Sequence, residues 1–168
     1  MRLDFIYLIV DFLKISFFER HWFTEWLIPL IFLALSIMAR LYCGSNDSYS
    51  LVCDLIGTIK VLLGFTLASL TLFLGRTDSK MKEIYAKGIK VRGKRVSLHQ
   101  IMLITLSYLI LVETLLCLGY YVGLLFPNVL GYWGCLIMNT LFVFFSFHLF
   151  MVLIRAITNI YFMNMSQE

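Results

Sequence analysis

The chain is poor in charge, proline and recognisable catalytic motifs. Only 14% of its 168 residues are Asp, Glu, Lys or Arg, and two are proline. Disordered chains need abundant charge and few large apolar groups, so disorder is excluded. A water-soluble domain carries about 25% charged and about 45–50% apolar residues. The sequence contains no His-Glu-x-x-His, phosphate loop, dinucleotide fingerprint, Cys-x-x-Cys pair or Gly-x-Ser-x-Gly elbow. Ser107 and Thr114 lie near Glu113, but His99 and His148 belong to other depths of the expected bundle, so no nucleophile–base pair forms. The expectation is a protein without enzymatic activity, metal or cofactor.

What is present is hydrophobic residue, 61% of the chain. So small a domain has too little interior to hide that much apolar surface, which points to a bilayer. From Val96 to Ile154 Glu113 is the only charged residue, and the 41 residues Thr114–Ile154 carry none. One helix through Val96–Ile154 would run roughly 90 Å, against a bilayer core of about 30 Å, so the chain must turn back.

The expected architecture is an all-α polytopic membrane protein with four transmembrane helices at residues 22–42, 51–74, 98–118 and 133–154. Residues 1–168 form one membrane domain. Cys43–Ser50 is rich in turn formers and reads as a tight outer loop. Gly119–Tyr132 is apolar, but Gly119, Gly123, Pro127, Asn128 and Gly131 mark it as a break. Residues 1–20 carry Asp4, Asp11 and Lys14 as a narrow polar stripe on an apolar helix, and read as an amphipathic helix in the membrane interface, a helix packed against the neighbouring spans being the alternative. Their early acids and the lack of a small-residue cleavage pattern do not fit a secretory signal.

The connector 75–97 holds eight Lys or Arg against Asp78 and Glu83, a net +6 in a chain of net +4. Basic connectors stay cytoplasmic, which puts both termini inside. Tyr42, Tyr49, Tyr120, Tyr121, Tyr132 and Trp133 then band the outer edge, and Trp22, Trp26 and Tyr161 the inner one. Met81, Ile84, Tyr85 and Ile89 follow helical spacing within the connector. Lys80, Lys82, Lys87, Lys90, Arg92, Lys94 and Arg95 can serve as an orientation signal touching anionic lipid, or as a dock for an acidic cytoplasmic protein. Direct nucleic-acid binding is not expected, because interleaved aromatics and reading motifs are missing.

Asp54, Lys60, Glu113 and His148 are the polar groups inside or near the spans. Lys60 lies about 13 Å into the second span, and a Lys60–Glu113 pair would lower the cost of both charges in lipid. Arg40 and Asp54 can pair or snorkel near the outer edge. Asn139 and His148 stand nine positions apart, on opposite sides of an ideal helix, so they cannot share one narrow pore. Gly57, Gly64 and Ala68 form a small-residue face suited to close packing of helices or subunits. Cys43–Cys53 and Cys117–Cys135 are possible disulfides at the outer edge; reduced packing cysteines are the alternative.

The run Lys60–Leu74, the basic loop through Arg95 and the span around Glu113 resemble small four-span membrane subunits encoded with bacterial antiphage systems, nearest the membrane component of the Kiwa defence system. The resemblance covers chiefly Leu51–Glu113. It implies a homo-oligomeric sensor or anchor of the bacterial inner membrane that couples phage entry to a cytoplasmic nucleic-acid-binding effector, with Lys80–Arg95 as the contact. Two other readings stay open: a small oligomeric channel lined by Asp54, Lys60 and Glu113, and an accessory subunit of a transporter.

Overall fold

A computed structural model describes residues 4–18, 22–43, 47–75, 85–91, 94–125 and 127–165, with side chains at 39–53, 85–95, 127–133, 135–136 and 161–165 among those outside the description. The elements are α1 (Asp4–Phe18), a π-helical turn (Phe23–Leu27), α2 (Ile28–Cys43), α3 (Asp47–Gly75), β1 (Tyr85–Val91), β2 (Lys94–Ser97), α4 (Leu98–Leu125) and α5 (Pro127–Met165). It is a multi-span helical bundle. Asp54–Gly75, Leu98–Gly123 and Ile137–Ile160 are long and apolar enough to cross a bilayer, and Phe23–Met38 is a shorter apolar helix.

The central helix is α4, which packs against α1, α3 and α5, while α2 lies along α5. Its inward side chains Met102, Leu106, Tyr108 and Leu109 meet Phe12 of α1, Phe73 of α3 and Leu149 and Val152 of α5. Outward, Val61 and Leu72 of α3 are among the most exposed large side chains. A surface of that kind is stable only against lipid or another protein.

The two separators expected at 43–50 and 119–132 are shorter than the composition implies. The α4 helix continues through Gly119 and Gly123 to Leu125, and α5 begins at Pro127. Neither glycine breaks it, because a helix of apolar neighbours tolerates isolated glycines; at Gly119 an added Cβ would meet Met138 Cε at 3.8 Å, an ordinary contact. Pro127 starts a helix rather than ending one, since its missing N–H falls where no intrahelical bond is required. Likewise α3 begins at Asp47, inside the expected loop.

The basic connector corrects a second expectation. Tyr85 and Ile89 lie not on a helix but on β1, paired antiparallel with β2 through Lys90↔Arg95 and Val91↔Lys94. Gly88 and Gly93 disfavour helix, and Ile89-Lys90-Val91 alternates with the period of a strand. Met81 and Ile84 lie outside the described residues. β1 packs on α1, and β2 contacts α4, into which it runs directly. That junction is fixed by a reciprocal capping box: the Ser97 N–H donates to Gln100 Oε1 at 3.1 Å, and the Gln100 N–H to Ser97 Oγ at 3.3 Å.

The polar stripe of α1 is also rearranged. Asp11 is buried against the bundle with Phe12, Ile15 and Ser16, while Lys14 is exposed. The stripe is thus split between protein and surroundings, and the π-turn supplies Glu25 as the partner of the inward Ser16.

Candidate functional site: a buried polar cluster

At the hairpin end of the bundle, four segments bring five polar side chains into the interior. Ser16 comes from α1, Glu25 from the middle of the π-turn, Tyr108 from α4, and His148 and Arg155 from α5. His148 and Arg155 are two helical turns apart and therefore on one face. Glu25 is 1% exposed, and Ser16 and His148 are fully buried.

The ion pair and the hydrogen bonds form one connected set of contacts. Arg155 Nη1 lies 2.8 Å from Glu25 Oε1, and the Ser16 hydroxyl donates to Glu25 Oε2. His148 Nδ1 lies 2.9 Å from the main-chain oxygen of Glu25, and its Nε2 2.9 Å from the Tyr108 hydroxyl. A carbonyl can only accept, so Nδ1 carries the proton. In the neutral ring Nε2 must then accept from Tyr108. A wider π-turn is a recurrent way of freeing main-chain groups at functional positions, and here His148 bonds to the carbonyl of its central residue.

Aromatic rings close the cluster. Phe12 stacks on Tyr108 at a centroid distance of 3.7 Å, and the Arg155 guanidinium lies 5.1 Å from the Phe12 centroid. Trp26 covers His148 at 4.6 Å. The Ser16 hydroxyl is engaged by a carboxylate and the imidazole by a phenol, so the three residue types of a hydrolytic triad are present without its serine–histidine bond. The arrangement suits a charge-bearing joint between α1, the π-turn and α5.

Of these groups the sequence singles out His148. Glu25, Ser16 and Arg155 carry only a weak signal: an acid and a base, each at the edge of an apolar run, far apart in sequence.

The other intramembrane polar residues are arranged differently. Thr66 Oγ1 donates to Glu113 Oε2 at 2.6 Å across the α3–α4 interface, both residues being buried. Lys60 does not meet Glu113; its ammonium lies 5.0 Å from the Tyr121 ring. Antiparallel register explains this: Lys60 precedes Thr66 by six positions, so it stands about 9 Å along α3 and faces the end of α4 beyond Glu113. Asp54 is exposed. Thr66→Val should cost about 1–2 kcal/mol, because it leaves a buried carboxyl without its hydroxyl partner. Reversible unfolding in mixed micelles measures this, and a value indistinguishable from zero would show that the bond contributes nothing.

Gly57, Gly64 and Ala68 lie on an exposed face of α3 and touch no neighbouring helix closely, with nothing within 4 Å of a Cβ added at either glycine. Cys117 is a free, half-buried cysteine on α4, and the side chains of Cys43, Cys53 and Cys135 lie outside the description. Lys80, Lys82 and Arg92 lie outside the described residues, and Lys87, Lys90, Lys94 and Arg95 are described only as strand positions. Among the described residues no three His, Cys, Asp or Glu side chains gather as a metal site.

No protein-family model, curated protein or solved structure matches the chain. What the molecule does must therefore be argued from its own geometry.

Proposed function

We propose that the chain is a four-span anchor and sensor subunit of a bacterial inner membrane, non-enzymatic, with both termini and the basic hairpin in the cytoplasm. It self-associates and recruits or regulates a cytoplasmic partner. The observation that carries this reading is the attachment of the hairpin: β1 packs on α1 and β2 continues into the central helix α4. A partner bound there would pull on the same two helices that supply Ser16 and Tyr108 to the buried cluster. The +6 connector suits an acidic protein surface. Following the resemblance to the Kiwa membrane component, a nucleic-acid-binding effector of antiphage defence is the first partner to test. The exposed small-residue face of α3 is the surface proposed for self-association.

A conducting path has less support, since Glu113 is closed into a helix interface by Thr66 rather than turned toward an opening.

The test is affinity capture from native membranes followed by mass spectrometry, comparing the natural chain with the combined Lys90→Glu, Arg92→Glu, Lys94→Glu and Arg95→Glu variant. One cytoplasmic partner should be lost at unchanged expression, with Lys87 labelling from the cytoplasmic side as the topology control. Retention of every partner would end the docking assignment. Gly64→Ile in the same experiment should abolish crosslinking between copies and leave the protomer folded, because the space at Gly64 is open. Undiminished crosslinking would remove α3 as the contact.

A further inference from the structure

The first helix is turned the wrong way for a helix lying at a water boundary. Its inward side holds Asp11, Ser16, Phe12 and Ile15, whereas Ile6, Tyr7, Val10 and Phe17 face outward, with Lys14 as an exposed charge at the side. Ile6, Val10 and Phe17 recur at helical spacing and make one apolar strip, flanked by exposed Lys14 at the turn between Val10 and Phe17. At its end Phe17 stacks with Trp22 at 6.0 Å, and Trp22 meets Phe23 edge-on at 6.0 Å. All three rings are exposed.

The strip does not end with α1. Through Trp22 and Phe23 it runs into Leu27, Leu30 and Ile31, also exposed, on the adjoining turn and α2, and so joins the outer surface of an apolar membrane helix. A 15-residue helix is about 22 Å long and cannot cross a core of about 30 Å. Its length, its outward apolar side and the aromatic group at one end fit a segment set within one leaflet, with Trp22 at headgroup depth.

We infer that the outer face of α1 is a phospholipid-binding surface: Ile6, Val10 and Phe17 contact acyl chains of the leaflet on the hairpin side, and α1 is sunk into that leaflet rather than resting on it. Lys14, exposed beside the strip, can extend its ammonium to the headgroups. Two of the charges that would oppose immersion are drawn inward, Asp11 into the bundle and Glu25 onto Arg155. The surface is thus independent of any partner bound at the hairpin.

The experiment uses the full natural chain in native membranes supplied with a phospholipid that carries a photoactivatable diazirine on an acyl chain. After illumination, peptides are mapped by mass spectrometry, with exposed Val61 and Leu72 of α3 as the internal standard for lipid contact. Ile6, Val10 and Phe17 should be labelled as strongly as that standard, and about tenfold more than Phe12 and Ile15 on the inward side. Labelled α3 with bare α1 would overturn the assignment. Oxidation of Ile6, Val10 and Phe17 by aqueous hydroxyl radicals would overturn it in favour of water, and crosslinks between α1 segments of two copies would overturn it in favour of a protein contact. None of these readings depends on finding a hairpin partner.

Discussion

Arg155→Leu is expected to lower stability by about 3–5 kcal/mol, the usual consequence of leaving a buried ion without its counter-charge. Glu25 is 1% exposed, and its remaining side-chain partner would be the Ser16 hydroxyl. Hydrogen bonds between membrane helices are commonly worth about 0.6 kcal/mol, so an effect several times larger separates a buried ion pair from an ordinary polar contact. Glu25→Gln should also be costly, because it removes the carboxylate that lies 2.8 Å from the buried Arg155 guanidinium. The double variant Glu25→Gln/Arg155→Leu should be more stable than Arg155→Leu alone, since it removes both charges and keeps an acceptor for Ser16. Arg155→Lys should fall between, retaining the charge but not the shape and reach of the guanidinium. Reversible unfolding of the four variants and the natural chain closes the cycle. A loss below about 1 kcal/mol for Arg155→Leu would mean that water reaches Glu25 and the cluster is no ion-bearing joint.

The large features of this fold are legible because bilayer physics is coarse. Apolar runs the length of a membrane core can be found by counting, and the three clear spans fall within or beside those expected. Register is not legible. The expected Lys60–Glu113 pair places two charges at plausible depths, yet a shift of six positions along an antiparallel helix pair gives Glu113 to Thr66 and Lys60 to Tyr121. Helix ends are equally obscure where glycine and proline are concerned. Gly119 and Gly123 lie inside α4, and Pro127 opens α5, because each residue is compatible with a helix in that setting. The hairpin could have been found from the alternation at Ile89-Lys90-Val91 and the glycine at 93, a signal masked by the abundance of lysine. The central ion pair spans 130 positions from Glu25 to Arg155. No periodicity links residues that far apart, and only the packing of α1, the π-turn and α5 shows that they meet.

Phe12→Ala should produce the second large effect, and a spatially confined one. Phe12 is fully buried, stacked on Tyr108, edge-on to His148 at 6.4 Å and beneath the Arg155 guanidinium. Truncating a core phenylalanine costs about 3–5 kcal/mol in water-soluble proteins. Here the lower end applies, about 3 kcal/mol, because apolar surface exposed to lipid loses packing without entering water. Phe12→Leu should cost about 1–2 kcal/mol, since it refills much of the space and forfeits the ring stack and the cation–ring contact. The location of the loss is the sharper test. Among the described residues Asp11, Phe12, Ile15 and Ser16 are the buried side chains by which α1 holds the bundle, whereas α3 meets α4 through its own contacts at Ile56, Ile59 and Thr66. Amide hydrogen exchange in Phe12→Ala should therefore quicken along α1 and the π-turn and stay unchanged in α3. Equal acceleration in α3 would make α1 part of one cooperative unit with the whole bundle; the confined response is what a hinged first helix, joined to the hairpin on one side and the buried ion pair on the other, requires.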